Sequence, residues 1–327
     1  MTRLLVATGD DVVRIERDGA AWKASTCLDG RGAQCLAVDP RRPESAFAGC
    51  RGAGVWRTVD GGLSWEDARL PAADVFSVAV SPVDGAVYAG CEPSMLYRSG
   101  DGADSWVELE TLRDIPSAPT WSFPPRPWTS HVRWIAPSPH DAERLLVGIE
   151  LGGLMLSTDG GATWADHRPG ARRDVHALAW HPTEPGRAYE AGGDGPAWSV
   201  DGGKTWEPAD AGLDRRYTWG LAVDPDDPDR WYVSAATGPG RAHLSRSSDA
   251  AVYVRQGGRA WERLRGGLPE PLDAFPYALL AEGGELYAGL SDGAVYSSDD
   301  RGETWRRLAI RGAAPVPVSA MALVDYS

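Results

Sequence analysis

The octet STDGGATW at residues 157–164 returns forty-two residues later as SVDGGKTW at 199–206. A phrase repeated at that distance marks a repeating structural unit and constrains the fold more than any other feature of the chain. The pattern Ser/Thr-x-Asp-x-Gly-x-Ser/Thr-Trp fits Thr58–Trp65, Ser157–Trp164, Ser199–Trp206 and Ser298–Trp305. Ser99–Trp106 departs from it only in having Ala103 where the others have glycine. Two relics, IERDGAAW and VRQGGRAW, keep the glycine and tryptophan and end at Trp22 and Trp261. The seven tryptophans are spaced 43, 41, 58, 42, 55 and 44 residues apart. A period near 42 suits a four-stranded propeller blade.

The text between tryptophans supports this. In residues 76–109, the apolar run FSVAV is followed by Ser-Pro and Asp-Gly, then by AVYAG, MLYRS and, after the boxed turn, SWVEL. Short apolar runs separated by Gly, Pro and Asp read as antiparallel hairpins. The first unit begins at its second strand, LLVATG, so the predicted innermost strand comes from the far end of the chain, PVSAMALVD at 317–325. That closes the ring and removes the open edges that make sheets sticky. The expectation is an all-β, seven-bladed β-propeller of four-stranded antiparallel blades, forming one domain over 1–327. Blade 1 takes 1–26 plus 317–327, and blade 2 takes 33–68. Blades 3 to 7 take 75–110, 131–167, 174–210, 217–264 and 275–309.

The boxed octet resembles the Asp-box, or BNR repeat, of sialidase-like propellers, of photosystem-assembly propellers and of some glycoside hydrolases. The resemblance covers almost the whole chain and implies that the box is the turn between third and fourth strands. Its Asp and Ser/Thr side chains bond within the turn, its glycine takes positive φ, and its Trp packs between blades. The boxes are therefore scaffold, although their aspartates look like catalysts.

Propeller strands alternate in direction, so a ligand is expected at the channel mouth on the face opposite the boxes. Aligning first strands puts Gln34, Phe76, Arg133, His176, Trp219 and Tyr277 in one ring, with Ser319 or Ala320 from the seventh. Preceding connections add His131, Arg173, Asp174, Arg216 and Tyr217, and second-strand ends add Arg51, Glu92, Glu150 and Asp194. The 58- and 55-residue intervals carry two long loops expected to rise beside blade 5. Residues 111–131 hold Trp121, Phe123 and Trp128, and residues 236–250 hold Arg241, His243 and Arg246. Such loops are usually lids or pocket walls.

A net charge of −13 disfavours nucleic acid and anionic membranes as partners. No stretch approaches the ~20 apolar residues of a spanning helix, and the N-terminal text lacks the apolar core of a signal peptide, so a cytoplasmic protein is expected. Four cysteines, at 27, 35, 50 and 91, are too few for a disulfide scaffold. Phosphate loop, dinucleotide fingerprint and nucleophile elbow are missing, and no cofactor is expected.

Three readings of the mouth follow. The first is a platform that holds a small molecule, glycan or peptide and breaks no bond, as the resemblance to photosystem-assembly propellers implies. The second is a glycosidase. Sialidase-like enzymes grip a carboxylate with three arginines and use a Tyr–Glu pair and an Asp; the resemblance implies Arg133, Arg173 and Arg216 with Tyr217, Glu150 and Asp174. The Arg-Ile-Pro motif of those enzymes is missing, and VRIERDG at 13–19 is its nearest echo. The third is a metal site in which His131, His176 and His243 meet Glu150 or Asp194. No spacing in the sequence is diagnostic for it.

Overall fold

The computed structural model describes residues 2–19, 21–125, 128–244 and 246–325. Seven small antiparallel sheets stand in a ring, each built from consecutive stretches of chain. Blade 2 is representative: Ala33–Asp39, Arg42–Cys50, Gly54–Thr58 and Glu66–Asp67 pair in sequence order. The fourth strand is only two residues long, because it needs just enough pairing to return the chain after the boxed turn.

Blade 1 closes the ring as the sequence predicts. Ala320–Asp325 lies antiparallel to Thr2–Ala7, with Leu4 opposite Leu323 and Ala7 opposite Ala320. The outer edge of this blade carries one strand more than expected. Ile310–Gly312 adds parallel to Ala21–Leu28, placing Ile310 beside Trp22. Blade 4 has one strand fewer: its three strands are followed by a single bridge between Leu156 and Ala165.

The core is divided into seven clusters, each formed between neighbouring blades. Trp206, Trp261 and Trp305 are buried members of three clusters, and Trp22, Trp65, Trp106 and Trp164, partly buried, pack against the other four. Trp206, for example, is buried with Leu146, Leu154 and Leu156 of the preceding blade. The repeat thus writes one large anchor per seam, and a side chain of that size contributes ~2–3 kcal/mol when buried. Glycines let the blades approach closely. A Cβ on Gly148 would stand 2.4 Å from Val175 Cγ1 of the next blade, and one on Gly90 2.5 Å from Val132 Cγ1.

The boxed turns are internally bonded. In the second blade, Thr58 Oγ1 donates to Asp60 Oδ1 at 2.7 Å and accepts the Gly62 N–H at 3.0 Å. Asp60 Oδ1 takes the N–H groups of Leu63 and Ser64 at 2.9 Å, and Oδ2 takes the Ser64 hydroxyl at 2.5 Å. Asp159, Asp201 and Asp300 repeat these bonds to Thr163, Thr205 and Thr304. Gly62, Gly161, Gly203 and Gly302 take φ between +79° and +92°, and Ala103 takes +73° in their place. With its carboxylate lone pairs occupied, a box aspartate has a structural task.

Candidate functional site

A cup of about 380 Å³ opens at the channel mouth. Its lining includes five first-strand positions, Gln34, Phe76, Arg133, Trp219 and Tyr277, and Ser319 just before the sixth such strand. These same six also line the channel beneath, a cavity of about 300 Å³. No box residue lines either space.

A backbone feature explains why these positions face inward. In blade 2, Ala33 pairs with Cys50 and Cys35 with Gly49, so Gln34 is skipped. The register skips Phe76, Arg133, His176 and Tyr277 in the same way. In blade 6 the shift spans Trp219 and Gly220. Each is a β-bulge, which bends the strand and re-aims the extra side chain. The bulges also tie blades together. The Gln34 amide donates to Val75 O at 2.6 Å, and His176 Nδ1 contacts Thr218 O at 2.6 Å.

The cup is aromatic and cationic. Phe76 stacks on His131 with centroids 4.0 Å apart, and Phe123 meets the same ring edge-on. Arg133 lies over Trp219 at 4.5 Å and Arg51 over Phe76 at 5.7 Å, both within cation–π range. His243 bridges Tyr217 and Tyr277, with its ring nitrogens 2.8 and 3.0 Å from their hydroxyls. Among the described lining residues, Glu150 is the one carboxylate. His131 Nε2 stands 2.6 Å from its Oε2, and Arg133 Nε stands 3.6 Å from the same oxygen. Burial opposes ionisation of Glu150, but the His131 hydrogen bond and the charge of Arg133 outweigh it and hold the carboxyl at about 2. Burial pushes His243 down and Tyr217 up.

Other expected residues lie elsewhere. Arg173 and Arg216 are exposed and do not line the cup, so the three-arginine clamp does not form around Arg133. Tyr217 is buried behind the cup against His176. Trp121 is a core residue: two short 3-10 turns, Glu110–Asp114 and Ala118–Thr120, accompany the burial of Leu112, Ile115 and Trp121 between blades 3 and 4. Phe123 is the aromatic from that loop which reaches the cup. Trp128 is 71% exposed and Asp194 is exposed, and both lie off the lining. Glu92 sits one layer out, 3.5 Å from His131 Nδ1; burial raises its pKa. Among the described residues the three histidines do not gather. The grouping with ligand-like geometry is Glu150, Asp174 and His176.

Sequence reasoning missed Glu190, on the second strand of blade 5. It is wholly buried, accepts the Arg172 N–H at 2.9 Å, and leaves Oε1 without a partner. Burial pushes it up to about 8. The text AYEAG gives no sign of this, because the partner, Arg172, stands 18 residues away in the chain.

No protein-family model matches the chain, and no curated protein matches it by sequence. Solved structures resemble it in fold. A GH74 xyloglucanase from Xanthomonas campestris superposes with TM-score 0.71 at 16% identity, over 92% of this chain and 52% of that one. An ancestral GH74 enzyme gives TM-score 0.65 at 18% identity, over 93% of this chain and 40% of that one. The chain thus spans about half or less of these two enzymes. YCF48 bound to D1 peptide gives TM-score 0.56 at 19% identity, over 85% of this chain and 82% of that one. What these likenesses establish is the fold, a seven-bladed β-propeller.

Proposed function

We propose that the protein is a binding propeller whose cup receives a ligand carrying an anionic group beside a planar or apolar face. One observation carries this reading: the cup presents two guanidinium groups over aromatic rings, and its single lining carboxylate is already engaged by His131. Guanidinium forks suit carboxylates and phosphates, and ring faces suit stacking. An acidic peptide or an anionic small molecule or glycan has this chemistry. The likeness to YCF48, solved with a peptide, supports the peptide class. The internal bonds of the boxed turns support counting them as Asp-boxes, and four free cysteines support a cytoplasmic location.

Glycoside hydrolysis is the second reading. The likeness to GH74 enzymes supports it, as do the carboxylates of Glu150 and Asp174, within 4.8 Å of each other. Retaining glycosidases space theirs by about 5–5.5 Å. Against it, Asp174 does not line the cup. Two screens separate the readings. The binding reading expects saturable 1:1 binding of members of an acidic-peptide and anionic-glycan library, and no turnover of chromogenic glycosides or xyloglucan oligosaccharides. Robust turnover, lost in Glu150→Gln, would replace binding with hydrolysis.

A further inference from the structure

The rim of blade 5 holds a second arrangement, which shares Glu150 with the cup. His176 is 1% exposed and sits at the bulge of its strand. Its Nδ1 is 2.6 Å from Thr218 O, a carbonyl that can only accept, so Nδ1 carries a proton. In the neutral ring, Nε2 is then a bare lone pair. That nitrogen is buried without a hydrogen-bond partner and points to Asp174, whose Oδ1 is 3.5 Å away. A carboxylate oxygen of Glu150 completes a group within 4.8 Å. Two carboxylates and an unpartnered ring nitrogen together make a pocket that a cation can fill.

We propose that Glu150, Asp174 and His176 form a site for a first-row divalent metal ion of the zinc, cobalt or manganese class. One imidazole with two carboxylates is a donor set for such ions, whereas calcium and magnesium prefer all-oxygen sites. The separation of His176 Nε2 and Asp174 Oδ1 is close to the ~3.4 Å edge of a tetrahedron with bonds of about 2.0–2.2 Å. Glu150, with a carboxylate oxygen within 4.8 Å of both, is the third donor. His131 and Arg133 both address Glu150 Oε2, which leaves Oε1 for the ion. Thr218 O supplies the outer partner that fixes a ligating histidine's tautomer and ring plane. Asp174 is one-fifth exposed and gives the ion a way in from the rim. The ion ties blade 4 to blade 5, and His176 carries the tie on to blade 6.

The test uses the whole chain, stripped with chelator and dialysed. Isothermal titration with zinc chloride and visible absorption on adding cobalt chloride should each show one ion per chain. The melting temperature should rise with metal concentration, since the ion binds the folded state. Asp174→Asn and His176→Ala should each weaken binding at least about tenfold, the scale of losses at metal sites. Melting of both variants in chelator checks that they fold; Asp174, at the rim, is the safer substitution. Folded wild-type protein that binds neither ion at millimolar concentration overturns the proposal. So does a folded Asp174→Asn that binds with wild-type affinity.

Discussion

Asp159 shows how much one residue of the repeat is asked to do. It takes the N–H and hydroxyl of Thr163 and the hydroxyl of Ser157, and every bond lies within seven residues of chain. Such bonds favour the ionised form. For Asp60, slight burial is outweighed by the Ser64 and Thr58 bonds, and the carboxyl is held at about 2; the Thr304 hydroxyl leads the same effect at Asp300. The folded values lie below the unfolded one near 4, so the stabilisation is complete above pH ~4 and is lost as pH falls toward ~2. In urea titrations, the gap between wild type and Asp60→Asn/Asp300→Asn should therefore be wide at pH 6 and narrow markedly by pH 2.5. Glu190 has the opposite sign. Its folded value, about 8, exceeds the unfolded one, so the fold loses stability as pH rises from ~4.5 to ~8. Glu190→Gln should gain on wild type across that window, with urea midpoints at pH 5 and pH 8 as the measure. The box was legible in the sequence because its partners are neighbours in the chain. Glu190 was not, because its partner, Arg172, lies 18 residues off and its burial is set by the tertiary fold.

At the scale of the element, the bulge decides which side chain meets the channel. Aligning first strands by sequence picked out Gln34, Phe76, Arg133, His176, Trp219 and Tyr277, and all six fall at register shifts. The alignment carried the positions because the bulge recurs with the repeat. It did not separate those that open on the cup from His176, which turns behind it. The long loop divides for a related reason: Trp121 and Phe123 are two residues apart, yet one fills a seam and the other the cup. Which way each side chain points depends on two short turns that the proline-rich text does not announce. The second-strand glycine is the bulge's counterpart. Gly148→Ala would drive a methyl to 2.4 Å from Val175 Cγ1, and overpacking of this kind costs about 1–3 kcal/mol. A matching loss of denaturant midpoint without a change of slope is the expected readout. Gly161→Ala adds a Cβ at φ +91°, 2.6 Å from Leu109 Cδ1, and should cost at least as much.

The whole molecule is a ring, and one C-terminal strand closes it. The strand Ala320–Asp325 seals blade 1 against blade 7, and Leu323 pairs with Leu4 inside that seal. Val324→Asp puts an unpaired charge at a wholly buried position of that strand and should cost ~3 kcal/mol or more, seen as a lower melting temperature and association on size exclusion as edges open. Closure was readable from the two ends of the sequence, because an incomplete first unit needed a strand. The extra edge strand Ile310–Gly312 was not, since three residues hold no period. Ring geometry also divides the labour between faces: boxed turns hold one face, and bulges present the cup on the other. The most direct test of that division is isothermal titration of an acidic peptide selected from the library against three proteins: wild type, Arg133→Met in the cup and Thr205→Val in a boxed turn. Binding should weaken at least tenfold in Arg133→Met, about 1.4 kcal/mol, and stay unchanged in Thr205→Val. Binding that survives Arg133→Met and fails in a folded Thr205→Val would contradict it.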